Sequence, residues 1–118
     1  MIKTTLTILL ALLVLAATSS VVFAYGGGNY RKGKYLFRKH CRVCHAEEAK
    51  GPKPAKSLSP VSKTMDEWVK AFEPESVAKY PCKDVWDKLA AESKGALNDI
   101  FTYLHKHAKD SPTPLKCK

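Results

Sequence analysis

The chain has 118 residues, with 20 Lys plus Arg against 11 Asp plus Glu, a formal net charge of +9 and four cysteines. That length allows one small domain, and the basic balance leaves nucleic acid, a membrane surface or an acidic protein as partner classes. The lysines are scattered without the pattern of an RNA- or DNA-binding module, so nucleic acid is set aside.

Residues 1–24 have the layout of a secretory signal: Lys3 supplies the positive start, Leu6 to Ala17 is a nearly unbroken apolar run, and Val22-Phe23-Ala24 fits the cleavage position. Cleavage before Tyr25 is expected. An uncleaved membrane anchor is the alternative, although Thr18, Ser19 and Ser20 interrupt the apolar run. Lys3 is the one charged residue removed, so residues 25–118 form a single domain of 94 residues carrying formally +8. Export places it in the periplasm or outside the cell, where disulfides persist. A core this small is marginal without a cofactor or cross-link.

Tyr25 to Asn29 is a Gly-rich leader, expected to be flexible. From Tyr30 the pattern turns helical and runs into Cys41-Arg42-Val43-Cys44-His45. A Cys-x-x-Cys-His run reads as a covalent haem attachment site. Each thiol adds to one vinyl group, and the adjacent imidazole of His45 takes one axial position on iron. A zinc half-site or a redox disulfide is the competing reading of Cys-x-x-Cys. Zinc would need a second close pair, yet Cys82 and Cys117 have 34 residues between them, and no βαβ context supports a thioredoxin-like site.

Ala46 to Thr64, with Pro52, Pro54 and Pro60, reads as loop. Lys50, Lys53, Lys56 and Lys63 lie in or beside it, as a solvated loop or a charged rim. Ser62 or Thr64 then caps a helix to about Phe72, with Asp66 and Glu67 in its first turn, Trp68, Val69 and Phe72 as its apolar side, and Pro74 as its limit. Tyr80-Pro81 marks a turn, and Val85, Trp86 and Leu89 suggest a helical piece. The last helix runs from about Ser93 to Lys106 on a stripe of Leu97, Ile100, Phe101 and Leu104. The Pro-broken tail from Ser111 should be extended. Cys82 and Cys117, left over in an oxidising compartment, form a disulfide by default, worth on the order of 4 kcal/mol in the chain-entropy model.

Gly33, Phe37 and Cys41, spaced by four and followed by Cys44 and His45, resemble the N-terminal helix of class I cytochrome c, and Asp99 to Leu104 resembles its closing helix. The resemblance implies an all-α fold, a small bundle of about three to five helices wrapped around one covalent haem c. It implies that Gly33 lets the last helix cross closely, that Phe37 packs beside the haem, and that a proline carbonyl, from Pro52, Pro54 or Pro60, accepts a hydrogen bond from His45. Trp68 resembles the aromatic that hydrogen-bonds a haem propionate, with plain core packing as its other reading. The family takes its sixth ligand, a methionine, from the loop before the last helix, and this chain has none there. Met65 is the first candidate, His105 or His107 the next, and an open iron or a Cys82 thiolate the last.

These residues point to an exported electron carrier rather than an enzyme, meeting redox partners through an acidic docking face on their side. A haem enzyme or gas sensor with an open sixth site, and a haem subunit of a larger redox complex, are the alternatives.

Overall fold

The two stretches that carry the architecture meet backbone to backbone. α1 (Tyr30–Leu36) crosses α5 (Ala96–Lys106) at Gly33, where an added Cβ would overlap the Asp99 carbonyl and lie 3.0 Å from the Ile100 nitrogen. Glycine is the only residue that permits this approach. Four residues on, Phe37 meets Tyr103 with ring centroids 5.9 Å apart, so the close crossing implied for Gly33 is present.

The computed structural model describes residues 25–45 and 56–116. The expected signal segment, Lys50, Pro52, Lys53, Pro54 and Cys117 lie outside them. Among the described residues there are five α-helices and no strand: α1, α2 (Met65–Ala71), α3 (Pro74–Val77), α4 (Lys83–Glu92) and α5. None is long and apolar enough to cross a membrane. The α1 helix continues as a π-helical turn over Phe37–Cys41, closed by the Arg42 N–H donating to the Phe37 carbonyl at 3.0 Å. Residues four apart still share one side in this wider turn, so Phe37 and Cys41 keep their common face.

The leader expected to be flexible is instead a strap laid across α5. The Gly26 N–H donates to Asn98 Oδ1 at 2.7 Å and Asn98 Nδ2 donates back to the Gly26 carbonyl at 3.2 Å. The Gly28 N–H donates to Thr102 Oγ1 and the Asn29 N–H to Asp99 Oδ1. Gly26 and Gly27 have φ of 134° and 65°, in the region that favours glycine, so the residues that suggested mobility serve a fixed path. Tyr25 ends the strap with its ring packed against both Phe72 and Phe101.

α2 begins where its capping signals placed it, with Thr64 and Glu67 forming a reciprocal capping box, while Ser62 ends the preceding 3-10 turn (Pro60–Ser62), whose N-cap is Ser59, and its Oγ accepts from the Ser59 N–H. Trp68 and Phe72 are buried, but Val69, expected on the apolar side, is 37% exposed. Pro74 does more than limit α2: its fixed φ opens α3. The middle of the molecule collects around Phe72, whose ring lies 4.7 Å from Trp86, 5.2 Å from Phe101, 5.6 Å from Tyr25 and 6.5 Å from Trp68. α5 starts about three residues later than expected because Gly95, at φ 85°, sets its N-cap. The tail is not simply extended. The Leu115 N–H returns to the His107 carbonyl at 3.1 Å and Ser111 is buried.

Candidate functional site

Cys41, Cys44 and His45 are wound into one turn, because the N–H groups of Cys44 and His45 both donate to the Cys41 carbonyl, at 3.2 and 2.9 Å. The turn is anchored from α1, whose N-terminus is capped by Asn29 Oδ1 accepting from the Arg31 and Lys32 N–H groups.

His45 is held from the other side. Its Nδ1 lies 2.7 Å from the Lys56 carbonyl. A carbonyl only accepts, so Nδ1 carries a proton, and in the neutral ring the lone pair is left on Nε2. The Leu58 N–H donates to the His45 carbonyl at 2.9 Å, so backbone and side chain clamp the same residue. The expected bond thus exists, but its acceptor is Lys56 and not a proline. The Pro60 carbonyl is occupied by the Trp68 indole N–H at 2.9 Å, deep in the core. Trp68 is 3% exposed and its single donor is spent there, so the geometry carries the core-packing reading of this residue.

Cys41, Cys44 and Cys82 are free thiols. Burial, then the charges of Cys82 and Cys44, push the Cys41 thiol up to about 12. Cys82 is therefore close enough to Cys41 for its charge to be felt, which the sequence did not reveal across 41 positions. A reactive Cys-x-x-Cys needs a lowered thiol pKa, so Cys41 is the opposite of a thioredoxin-like nucleophile. Among the described residues no three His, Cys, Asp or Glu side chains converge as a metal-ion site, so a closed zinc cage lacks its remaining ligands there. Haem c asks for something else: two sulfurs free to become thioethers, and one imidazole nitrogen with its lone pair available and its partner nitrogen tied down. The residues present fit that group.

The distal candidates fall in different places. Met65 opens α2, half-buried against the core, with its backbone N–H donating to Asp110 Oδ1 at 2.7 Å. His105 is half-buried with its ring 5.1 Å from Phe101 and nearly parallel to it. His107 packs against the rings of Tyr30 and Tyr103, and its Nδ1 donates to the Thr113 carbonyl at 2.8 Å. Cys82 caps α4, and Cys117, its expected disulfide partner, lies outside the described residues. A shallow apolar groove of about 270 Å³ runs past Tyr25, Phe72, Trp86 and Leu97, with no thiol or imidazole in its lining.

The Lys56 carbonyl is the functional group that sequence reasoning missed. A backbone acceptor has no side-chain signature, and only the expectation that a second-shell bond must exist could point to the loop. Comparison of the chain with protein-family models, curated proteins and solved structures finds no match.

Proposed function

We propose that the protein is an exported monohaem c-type cytochrome of class I type that carries single electrons between redox partners. The observation that supports this best is the two-sided clamp on His45. With Nδ1–H given to the Lys56 carbonyl, the imidazole has one tautomer and one direction, and Nε2 is reserved for a metal. Cys41 and Cys44 would hold the cofactor covalently and His45 would be its proximal ligand. When bound, haem supplies a one-electron couple, and the chain's own residues determine where that couple sits.

Each of those residues has a physical task. The carbonyl of Lys56 raises the basicity of the imidazole and stops its rotation. Gly33 and the Phe37–Tyr103 pair fix the helix from which Cys41 projects, so the attachment turn moves little between oxidation states. Met65 is the first candidate for the sixth position, His105 or His107 the next, and an open iron or a Cys82 thiolate the last.

Mass analysis of the exported protein tests the reading. The expected result is one porphyrin added by two thioether bonds, lost in the C41S/C44S double variant. An exported chain with no added mass would overturn it. Carbon monoxide then separates carrier from gas sensor: a six-coordinate ferrous protein that does not bind it supports electron transfer, and rapid binding supports an open sixth site.

A further inference from the structure

The basic excess is not spread evenly over the surface. Between Tyr25 and His45 there are six Lys or Arg residues, Arg31, Lys32, Lys34, Arg38, Lys39 and Arg42, and no Asp or Glu; all six are exposed. Lys32 alone has an acidic neighbour among the described residues, Asp99 at 3.9 Å. α4 is arranged in the opposite way, with Lys83 bonded to Asp87 at 2.7 Å and Lys88 set 3.8 Å from Glu92. In helical register Arg31, Lys34, Tyr35 and Arg38 lie on the side away from the buried Gly33, Leu36 and Phe37, and Arg42 follows at the start of the attachment turn. Tyr35 is 60% exposed amid these charges, with Lys39 Nζ 5.9 Å from its ring centroid.

Five cations with no acidic neighbour among the described residues, set along α1 and the turn after it, repel one another, which costs stability unless an anion covers them. We propose that the outer face of α1 and the turn after it, bearing Arg31, Lys34, Arg38, Lys39 and Arg42 around Tyr35, is the docking surface for a folded protein presenting an acidic patch. Docking there brings the partner against the Cys41–His45 turn. An anionic membrane is disfavoured because a helix lying in a bilayer interface needs an apolar stripe. This face offers only Tyr35 and Val43 as large exposed apolar residues. Guanidinium forks and an exposed tyrosine suit carboxylates and an aromatic or apolar contact on a protein. The purpose assigned to the contact rests on the electron-carrier reading; the charge pattern does not.

The test compares two charge-equivalent variants of the full exported protein, R31E/R38E on this face and K79E/K94E on exposed lysines elsewhere. Binding to immobilised polyglutamate and to phosphatidylglycerol vesicles is measured at low and moderate salt, together with electron exchange with the anionic reagent hexacyanoferrate. R31E/R38E should lose about tenfold or more in polyglutamate binding and in its salt dependence, while K79E/K94E changes it about twofold. The neutral R31Q/R38Q variant should fall between. Equal losses in the two glutamate variants would mean that net charge alone acts, and would overturn the proposal. So would vesicle binding with the same dependence on Arg31 and Arg38. If polyglutamate binding follows the face but no electron exchange occurs, the surface stands and the carrier reading falls.

Discussion

Two regions of this small core are built on different principles. Where α1 crosses α5, the contact is backbone on backbone at Gly33 and one ring pair beyond it, Phe37 on Tyr103. In the middle segment, α2 to α4 are held by rings gathered around Phe72. The first contact tolerates no added atom; the second depends on volume being filled. The attachment turn hangs from the first region, so a stiff crossing positions chemistry while an adaptable cluster fills the middle of the core.

The largest effect should come from emptying the cluster. Phe72→Ala removes a ring 3% exposed with four aromatic neighbours, and we expect a loss of about 4 kcal/mol in denaturant unfolding. Phe72→Leu should cost under ~1.5 kcal/mol, because flanking rings can close on a smaller apolar group. The crossing should behave differently. Gly33→Ala adds a single methyl and should still cost about 3 kcal/mol, since the obstacle is the Asp99 carbonyl rather than a side chain that can turn aside. If Gly33→Ala proved harmless while Phe72→Leu unfolded the protein, the division between a stiff crossing and an adaptable cluster would be wrong.

The same division explains what the sequence made legible. Gly33, Phe37 and Cys41 state the crossing through their spacing, and Thr64 with Glu67 states the start of α2, because caps and close contacts depend on residue type at fixed offsets. The cluster around Phe72 has no such offset rule. Tyr25, Phe72, Trp86 and Phe101 come from four separate stretches, and any of them alone reads as an ordinary core aromatic. At the candidate site the two thiols and the imidazole were readable, whereas the Lys56 carbonyl was not, because the acceptor is main chain. The strap was misread because glycine serves both mobile segments and left-handed backbone, and only the partners on α5 distinguish them.

Cys41 follows Phe37 by four residues and packs against the core, and its titration reports whether the turn is buried in the porphyrin-free chain. Burial and neighbouring thiols raise its pKa from 9.0 to about 12. A raised folded-state pKa means that the folded form holds its proton longer than the unfolded form. Its contribution to stability is therefore complete below pH 9 and lost as pH climbs toward 12. Alkylation of Cys41 by iodoacetamide should accelerate steeply across that interval in the porphyrin-free chain. In the haem-bearing protein the sulfur is a thioether and both responses should vanish. Rapid labelling of Cys41 near neutral pH in the folded chain would show that the turn is open.

The smallest effect belongs to the strap, and it asks whether the N-terminal segment belongs with the crossing or with the cluster. Asn98→Ala removes both hydrogen bonds to Gly26, at 2.7 and 3.2 Å, while leaving the Gly28 and Asn29 contacts intact. Both bonds are exposed, so water replaces much of what is lost and the cost should be about 1 kcal/mol. The consequence for Tyr25 is more telling than the energy. Its ring reaches Phe72 and Phe101 only if the strap keeps its path over α5, so a loosened strap should uncover the Phe72 side of the core. Combined with Phe72→Leu, Asn98→Ala should cost measurably more or less than the sum of the separate changes, as expected for residues coupled through one set of contacts. Strict additivity in that double variant would place the strap with the crossing, as a tether on α5 whose tyrosine is incidental to the cluster.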